Sequence, residues 1–197
     1  MRRFLLLLFF LCAPAFGQPV EGRDYLIVSG SLPAASSPVT VTEYFYYGCP
    51  QCRDLEPVIN QWAASHHSVK LNHVPAFRNA WITLARTYYS LEKMGIESRL
   101  RSGIFSAMGE QGIDLSNESV LFGWIMKQGV PIERFQSLFF SDEITKKIED
   151  SMRLALDDHI SGVPAILVDG RYLMLGDLAD TRMLDELVDI AREDRKH

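Results

Sequence analysis

The chain has 197 residues, 47% of them apolar, and a formal net charge of −5 at pH 7. That length and apolar content suit one compact domain, or one domain carrying an insertion, with a core that needs no disulfide staples. The acidic balance argues against nucleic acid as a partner.

Residues 1–17 have the layout of a cleavable signal peptide: Arg2 and Arg3, a short apolar run, then the small-residue pattern Ala15-Phe16-Gly17. The run is too short for a comfortable membrane span. Cleavage after Gly17 would remove Cys12 and leave two cysteines, Cys49 and Cys52. Residues 18–38 read as a loosely held arm with a short strand at 25–28 and a Pro- and Ser-rich end, Pro33 to Pro38.

The β-branched and aromatic run Val39 to Tyr46 predicts a strand. A helix is expected from about Cys49 to Ser65, with Leu55, Val58, Ile59 and Trp62 on one face and Pro57 bending its axis. Val69 to Val74 alternates as a second strand, and the helical crossover makes the pair parallel. From about Asn79 to Asp158 the periodicity is helical throughout, with stripes at Trp81, Leu84, Ala85 and Tyr88, at Leu100, Ile104 and Phe105, and at Leu121, Trp124 and Ile125. Gly129-Val130-Pro131 interrupts the block, with Pro131 placed as a first-turn residue. Ala165 to Val168 is a strand, Asp169-Gly170 a two-residue hairpin turn, and Arg171 to Met174 its antiparallel return. An amphipathic helix carrying Leu184, Leu187, Val188 and Ala191 follows.

Cys49-Pro50-Gln51-Cys52 lies where the first of these strands meets its helix. A CxxC pair at such a junction reads as a thioredoxin-like redox centre. Helix-start N–H groups and the positive end of the dipole favour thiolate over thiol. As a staple the pair would close too small a loop to contribute much. Cys49, at the exposed start, is the better nucleophile and leaving group, while Cys52 lies one turn inside. Arg53 excludes the Cys-x-x-Cys-His haem attachment pattern, and a zinc site would need further ligands that the sequence does not supply. His66 and His67 close the helix and His73 follows on the next strand, where compensation of the helix dipole explains them better than a metal. Glu43 shares the strand face of Val39, Val41 and Phe45, an odd place for a carboxylate. It is either a partly solvated strand residue or a buried one able to exchange a proton with Cys52. Glu56 in the helix has the same two readings.

The order of elements, β-α-β, then about eighty helical residues, then β-β-α, is an α/β thioredoxin fold interrupted by an all-helical insertion. The thioredoxin-like part is expected at 18–77 and 158–197, and the insertion at 78–157. Glu43-Tyr44-Phe45-Tyr46-Tyr47-Gly48-Cys49-Pro50-Gln51-Cys52, then Glu56-Pro57, and late in the chain Gly162-Val163-Pro164, resemble the DsbA family of bacterial periplasmic thiol:disulfide oxidoreductases. The resemblance covers essentially all of residues 18–197. It implies a periplasmic disulfide oxidase that acts on reduced, unfolded exported proteins through a mixed disulfide. It also implies no bound cofactor and reoxidation by a quinone-linked membrane oxidase of the DsbB type. A monomer is expected. Glu43 becomes the proton-exchanging acid by this resemblance. Pro164 becomes the cis-proline facing the redox pair, and Val163 the residue whose backbone pairs with substrate. Pro50 and Gln51 tune the cysteines. Gln51 stands where the family commonly has histidine, which predicts a weaker oxidant. The alternatives are a reductase or isomerase using the same thiols, and a non-enzymatic metal-handling protein.

Overall fold

The computed structural model describes residues 18–28, 38–76 and 78–196. The segment read as a signal peptide and most of the Pro- and Ser-rich linker lie outside the described residues.

Among the described residues five strands form one sheet in the order β1-β5-β4-β2-β3. They are β1 (Tyr25–Ile27), β2 (Val39–Phe45), β3 (Val69–Pro75), β4 (Ala165–Val168) and β5 (Tyr172–Met174). Helix α1 (Pro50–Ser65) connects β2 to β3, and the two strands are parallel with Glu43 opposite His73. β4 runs antiparallel to β2, and β5 to β4. The hairpin between them turns on Asp169 and Gly170, both at positive φ (59° and 68°), the backbone that a two-residue turn of this twist requires. Between β3 and β4 lie a 3-10 turn at Asn79–Trp81 and five helices: α2 (Ile82–Lys93), α3 (Glu97–Gly109), α4 (Glu118–Lys127), α5 (Ile132–Phe139) and α6 (Asp142–Asp157). The last helix is α7 (Thr181–Asp194).

The differences from expectation are local. Pro131 caps α5 rather than occupying its first turn, and its carbonyl accepts from the Phe135 N–H at 3.1 Å. Trp81 falls in the turn before α2 and stacks on Tyr46 instead of joining the helical stripe. Helix α1 continues through Pro57 to Ser65 without a break in its assignment. Polar caps at Asn117, Ser141 and Asp180 satisfy the first N–H groups of α4, α6 and α7.

Apolar packing places the site. One cluster joins the sheet to α1 and α7 through Val41, Ile59, Trp62, Val168, Leu187 and Val188. A second fills the helical block around Leu84, Ile104, Phe105, Leu121, Phe135 and Phe139, and it also contains Phe45, Tyr47, Cys49 and Cys52. The cysteines therefore lie against the inserted helices, at the seam with the sheet. The Tyr44 hydroxyl, buried in β2, donates to Asp158, the residue that caps the C-terminus of α6.

Candidate active site

Cys49 is the N-cap of α1. Its backbone is extended (φ −90°, ψ 118°), and its Sγ accepts from the Cys52 N–H at 3.3 Å. Pro50 takes the next position, where a missing N–H costs nothing because that group has no partner within the helix. The Cys49 sulfur thus receives a backbone hydrogen bond at the positive end of the helix dipole. The sequence placed this sulfur at an exposed helix start, but Cys49 is only 9% exposed. Gln51 and the Val163 backbone enclose it: Gln51 Oε1 at 3.5 Å and the Val163 carbonyl oxygen at 3.6 Å are alternative acceptors for the one thiol proton. The Val163–Pro164 peptide is cis. Both cysteines are free thiols. The structure thereby brings Cys49, Pro50, Gln51, Cys52, Val163 and Pro164 to one place.

Gly48 is needed beside them. A Cβ there would stand 2.5 Å from the ring of Tyr46, which stacks on Trp81 with centroids 4.3 Å apart.

Cys52 is fully buried. Burial pushes its thiol well above the ordinary value, and the hydrogen bond with Cys49 and the charges of Cys49 and Glu43 add to this. At neutral pH it stays protonated. Iodoacetamide at pH 7 should therefore label one thiol of the native reduced protein. Peptide mapping is expected to place the label on Cys49, and equal labelling of Cys52 would contradict the assignment of the nucleophile.

Below the cysteines lies a cluster of buried charge that the sequence showed only in part. Glu43 is completely buried, which settles its burial but not its role. Its Oε2 accepts from Arg101 at 2.9 Å and pairs with His73 Nδ1 at 2.7 Å. Its Oε1 is buried and has no hydrogen-bond partner among the described residues. Arg101, 3% exposed, also donates to Glu56 at 2.5 Å and to Glu97 at 3.4 Å. Glu97 accepts from the Tyr47 hydroxyl at 2.5 Å. The guanidinium lies 4.0 Å from the Phe45 ring centroid, a cation–π contact. Burial opposes the Arg101 charge, but Glu43, Tyr47, Glu56 and Glu97 outweigh it and hold the guanidinium more firmly protonated than usual.

Three of these residues lie outside the site that the sequence predicts. Arg101 and Glu97 sit on α3, where the sequence shows only an apolar stripe. His73 reads from sequence as compensating a helix dipole, whereas it faces Glu43 across the strand pair. His66 does serve the helix end: its Nδ1 lies 2.7 Å from the Trp62 carbonyl and its Nε2 3.0 Å from Asp185. The parallel β2–β3 register, with an acid opposite a base, was the signal that could have identified the Glu43–His73 pair.

Gln51 can meet the Cys49 thiol with its oxygen or the thiolate with its NH₂, and so favours neither strongly. An imidazolium at that position would favour the thiolate alone. Gln51→His is expected to shift the glutathione equilibrium toward the reduced protein by about tenfold, or about 30 mV. An unchanged or opposite shift would refute this account of the position.

A family model described as a DSBA-like thioredoxin domain matches residues 40–189. A protein of Azotobacter vinelandii named thiol:disulfide interchange protein DsbA is 32% identical over 154 residues, 77% of this chain and 72% of that one. One of the same name from Bordetella pertussis is 31% identical over 83% of this chain and 78% of its own length. Among solved structures, the oxidoreductase DsbA of Xylella fastidiosa superposes with a TM-score of 0.82 at 28% identity, covering 90% of this chain and all of that one. Pseudomonas aeruginosa DsbA gives 0.81 at 27% identity, with 89% and 96% covered. The thioredoxin sheet, the helical insertion, the capped CxxC pair and these matches together make the chain a member of the DsbA family of thiol:disulfide oxidoreductases.

Proposed function

We propose that this oxidoreductase donates the Cys49–Cys52 disulfide to reduced proteins exported to the periplasm. A substrate thiolate attacks Cys49 Sγ, the Cys49–Cys52 bond breaks, and Cys52 leaves with the electron pair and takes up a proton. A second substrate thiolate then attacks the mixed disulfide and displaces Cys49 as a thiolate. The substrate gains a disulfide and the protein is left reduced. The observation that carries this reading is Cys49 as the N-cap, its sulfur accepting the Cys52 N–H, because a stabilised leaving thiolate favours handing the disulfide on. The nearby Val163 carbonyl, 3.6 Å from that sulfur, supports backbone pairing of an extended substrate at this loop. Beside it a cavity of about 360 Å³, lined by Gln51, Asp54, Leu55, Pro164, Asp177 and Leu178, offers apolar walls with two acidic groups to side chains of unfolded chains.

Glu43 is the acid that exchanges a proton with Cys52 in this reading, since it is buried and its charge acts on that thiol. Reoxidation falls to a quinone-linked membrane oxidase of the DsbB type. Export rests on the N-terminal signal sequence. No helix among the described residues is long and apolar enough to cross a membrane.

The test is direct. The oxidised protein is mixed with a reduced, unfolded protein containing two cysteines, and free thiols are counted over time. One substrate disulfide per protein molecule, formed faster than in air, is expected. Retention of the Cys49–Cys52 bond would overturn the proposal.

A further inference from the structure

Each turn of this chemistry moves a proton onto or off Cys52, yet Cys52 is fully buried and so is Glu43. A proton held between two buried groups needs a third group that meets solvent. His73 meets three requirements for that group. Its Nδ1 is 2.7 Å from Glu43 Oε2. Its side chain is 16% exposed. It lines an open cavity of about 340 Å³ with Thr42, Asn72, Tyr88, Glu92 and Leu154. Imidazole is also the side chain whose ordinary titration falls between pH 5 and 8.

We propose that His73 connects the proton of the active site to solvent, acting on Cys52 only through Glu43 as a positioning and proton-passing residue. This rests on the proposed exchange between Glu43 and Cys52. The Glu43–His73 pair holds one exchangeable proton. During donation the Cys49–Cys52 bond breaks, Cys52 departs as a thiolate, and it takes that proton through Glu43 Oε1, the oxygen with no hydrogen-bond partner among the described residues. His73 then replaces the proton from the cavity through Nε2, its second ring nitrogen. When a disulfide-bearing oxidant has accepted Cys49 in a mixed disulfide, the path runs backwards. The Cys52 thiol gives its proton to Glu43, the thiolate displaces the oxidant's sulfur, and His73 releases a proton to water.

The surrounding charges support this division of labour. Arg101 from α3 is fixed as a cation, and it is shared with Glu56 of α1 and Glu97 of α3. Tyr47 is tied to Glu97, while Tyr88 of α2 donates to the His73 carbonyl at 2.9 Å. Burial raises both tyrosines out of the range in which they could exchange protons near neutrality. Glu92 of α2 faces His73 only across the cavity. Within this set, His73 combines direct contact with Glu43 and contact with the cavity.

The experiment is single-turnover donation to a reduced two-cysteine peptide between pH 6 and 8.5. Each variant is expressed as a ratio to wild type, in which ionisation of the peptide thiol cancels. His73→Gln retains a donor toward Glu43 but cannot titrate, and circular dichroism checks its fold. It is expected to be about tenfold or more slower at pH 6, with a deficit that changes across the pH range because an acid–base group has been removed. His73→Ala opens the cavity, and added imidazole should restore its rate with saturation. A His73→Gln ratio independent of pH, or no imidazole rescue, overturns the role of His73. Glu43→Gln separates the two ideas. If it is slow while His73→Gln matches wild type, the Glu43 reading stands and the outlet falls. If Glu43→Gln matches wild type as well, both fall.

Discussion

Replacing Arg101 with methionine is expected to destabilise the fold by about 3–5 kcal/mol, read from the urea midpoint at pH 7. The guanidinium is 3% exposed and is the shared counter-ion of Glu43, Glu56 and Glu97. Methionine fills comparable space but leaves three buried carboxylates without their shared counter-ion. The loss also uncouples α3 from β2 and α1, since Arg101 bonds across both seams. Arg101→Lys should recover only part of it, because one ammonium cannot span three carboxylates with a planar fork. A control sits on the surface. Lys93 and Glu143 are 2.6 Å apart but each is 49% exposed, and breaking that pair should cost no more than about 1 kcal/mol. If Arg101→Met lowered stability as little as Lys93→Met, the buried cluster would not have the energetic role assigned to it.

Cys49→Ser is expected to abolish disulfide transfer completely while leaving the chain folded, though less stable than the reduced wild type, because serine cannot supply the thiolate. Activity disappears because the other sulfur cannot substitute: Cys52 is fully buried, with its thiol raised by burial. The fold persists because the position is a helix N-cap, and a serine hydroxyl accepts the Cys52 N–H in place of the sulfur. Thiol counting on a reduced substrate gives the first result and a urea titration the second. Residual transfer by the variant would place the nucleophile elsewhere. Loss of the folded state would show that the sulfur holds the fold together.

Much of this architecture is written in local pattern. The run from Val39, the periodic helix after Cys49, the alternating strand at 69–74 and the Asp169-Gly170 hairpin each have a short-range cause, and each formed as read. The family motif then fixed the fold as a whole. What stayed hidden depends on contacts distant in sequence. Arg101 reaches Glu43 and Glu56 only once α3 packs on α1, and nothing in the neighbourhood of Leu100 and Ile104 distinguishes it from a solvated arginine. Glu97 is hidden for the same reason. His73 was within reach, because laying the two parallel strands side by side puts it opposite Glu43. The enclosure of Cys49 was not, since it comes from Val163, brought beside the redox pair by the return of the chain from the inserted helices.

The proposed donation depends on Cys49 being a good leaving group, so that the disulfide is readily given away. Equilibrating the purified protein with reduced and oxidised glutathione at pH 7, and reading the fraction reduced, measures this directly. A potential above about −200 mV is the expected result. A potential below about −300 mV, the range of inert secreted disulfides, would contradict it.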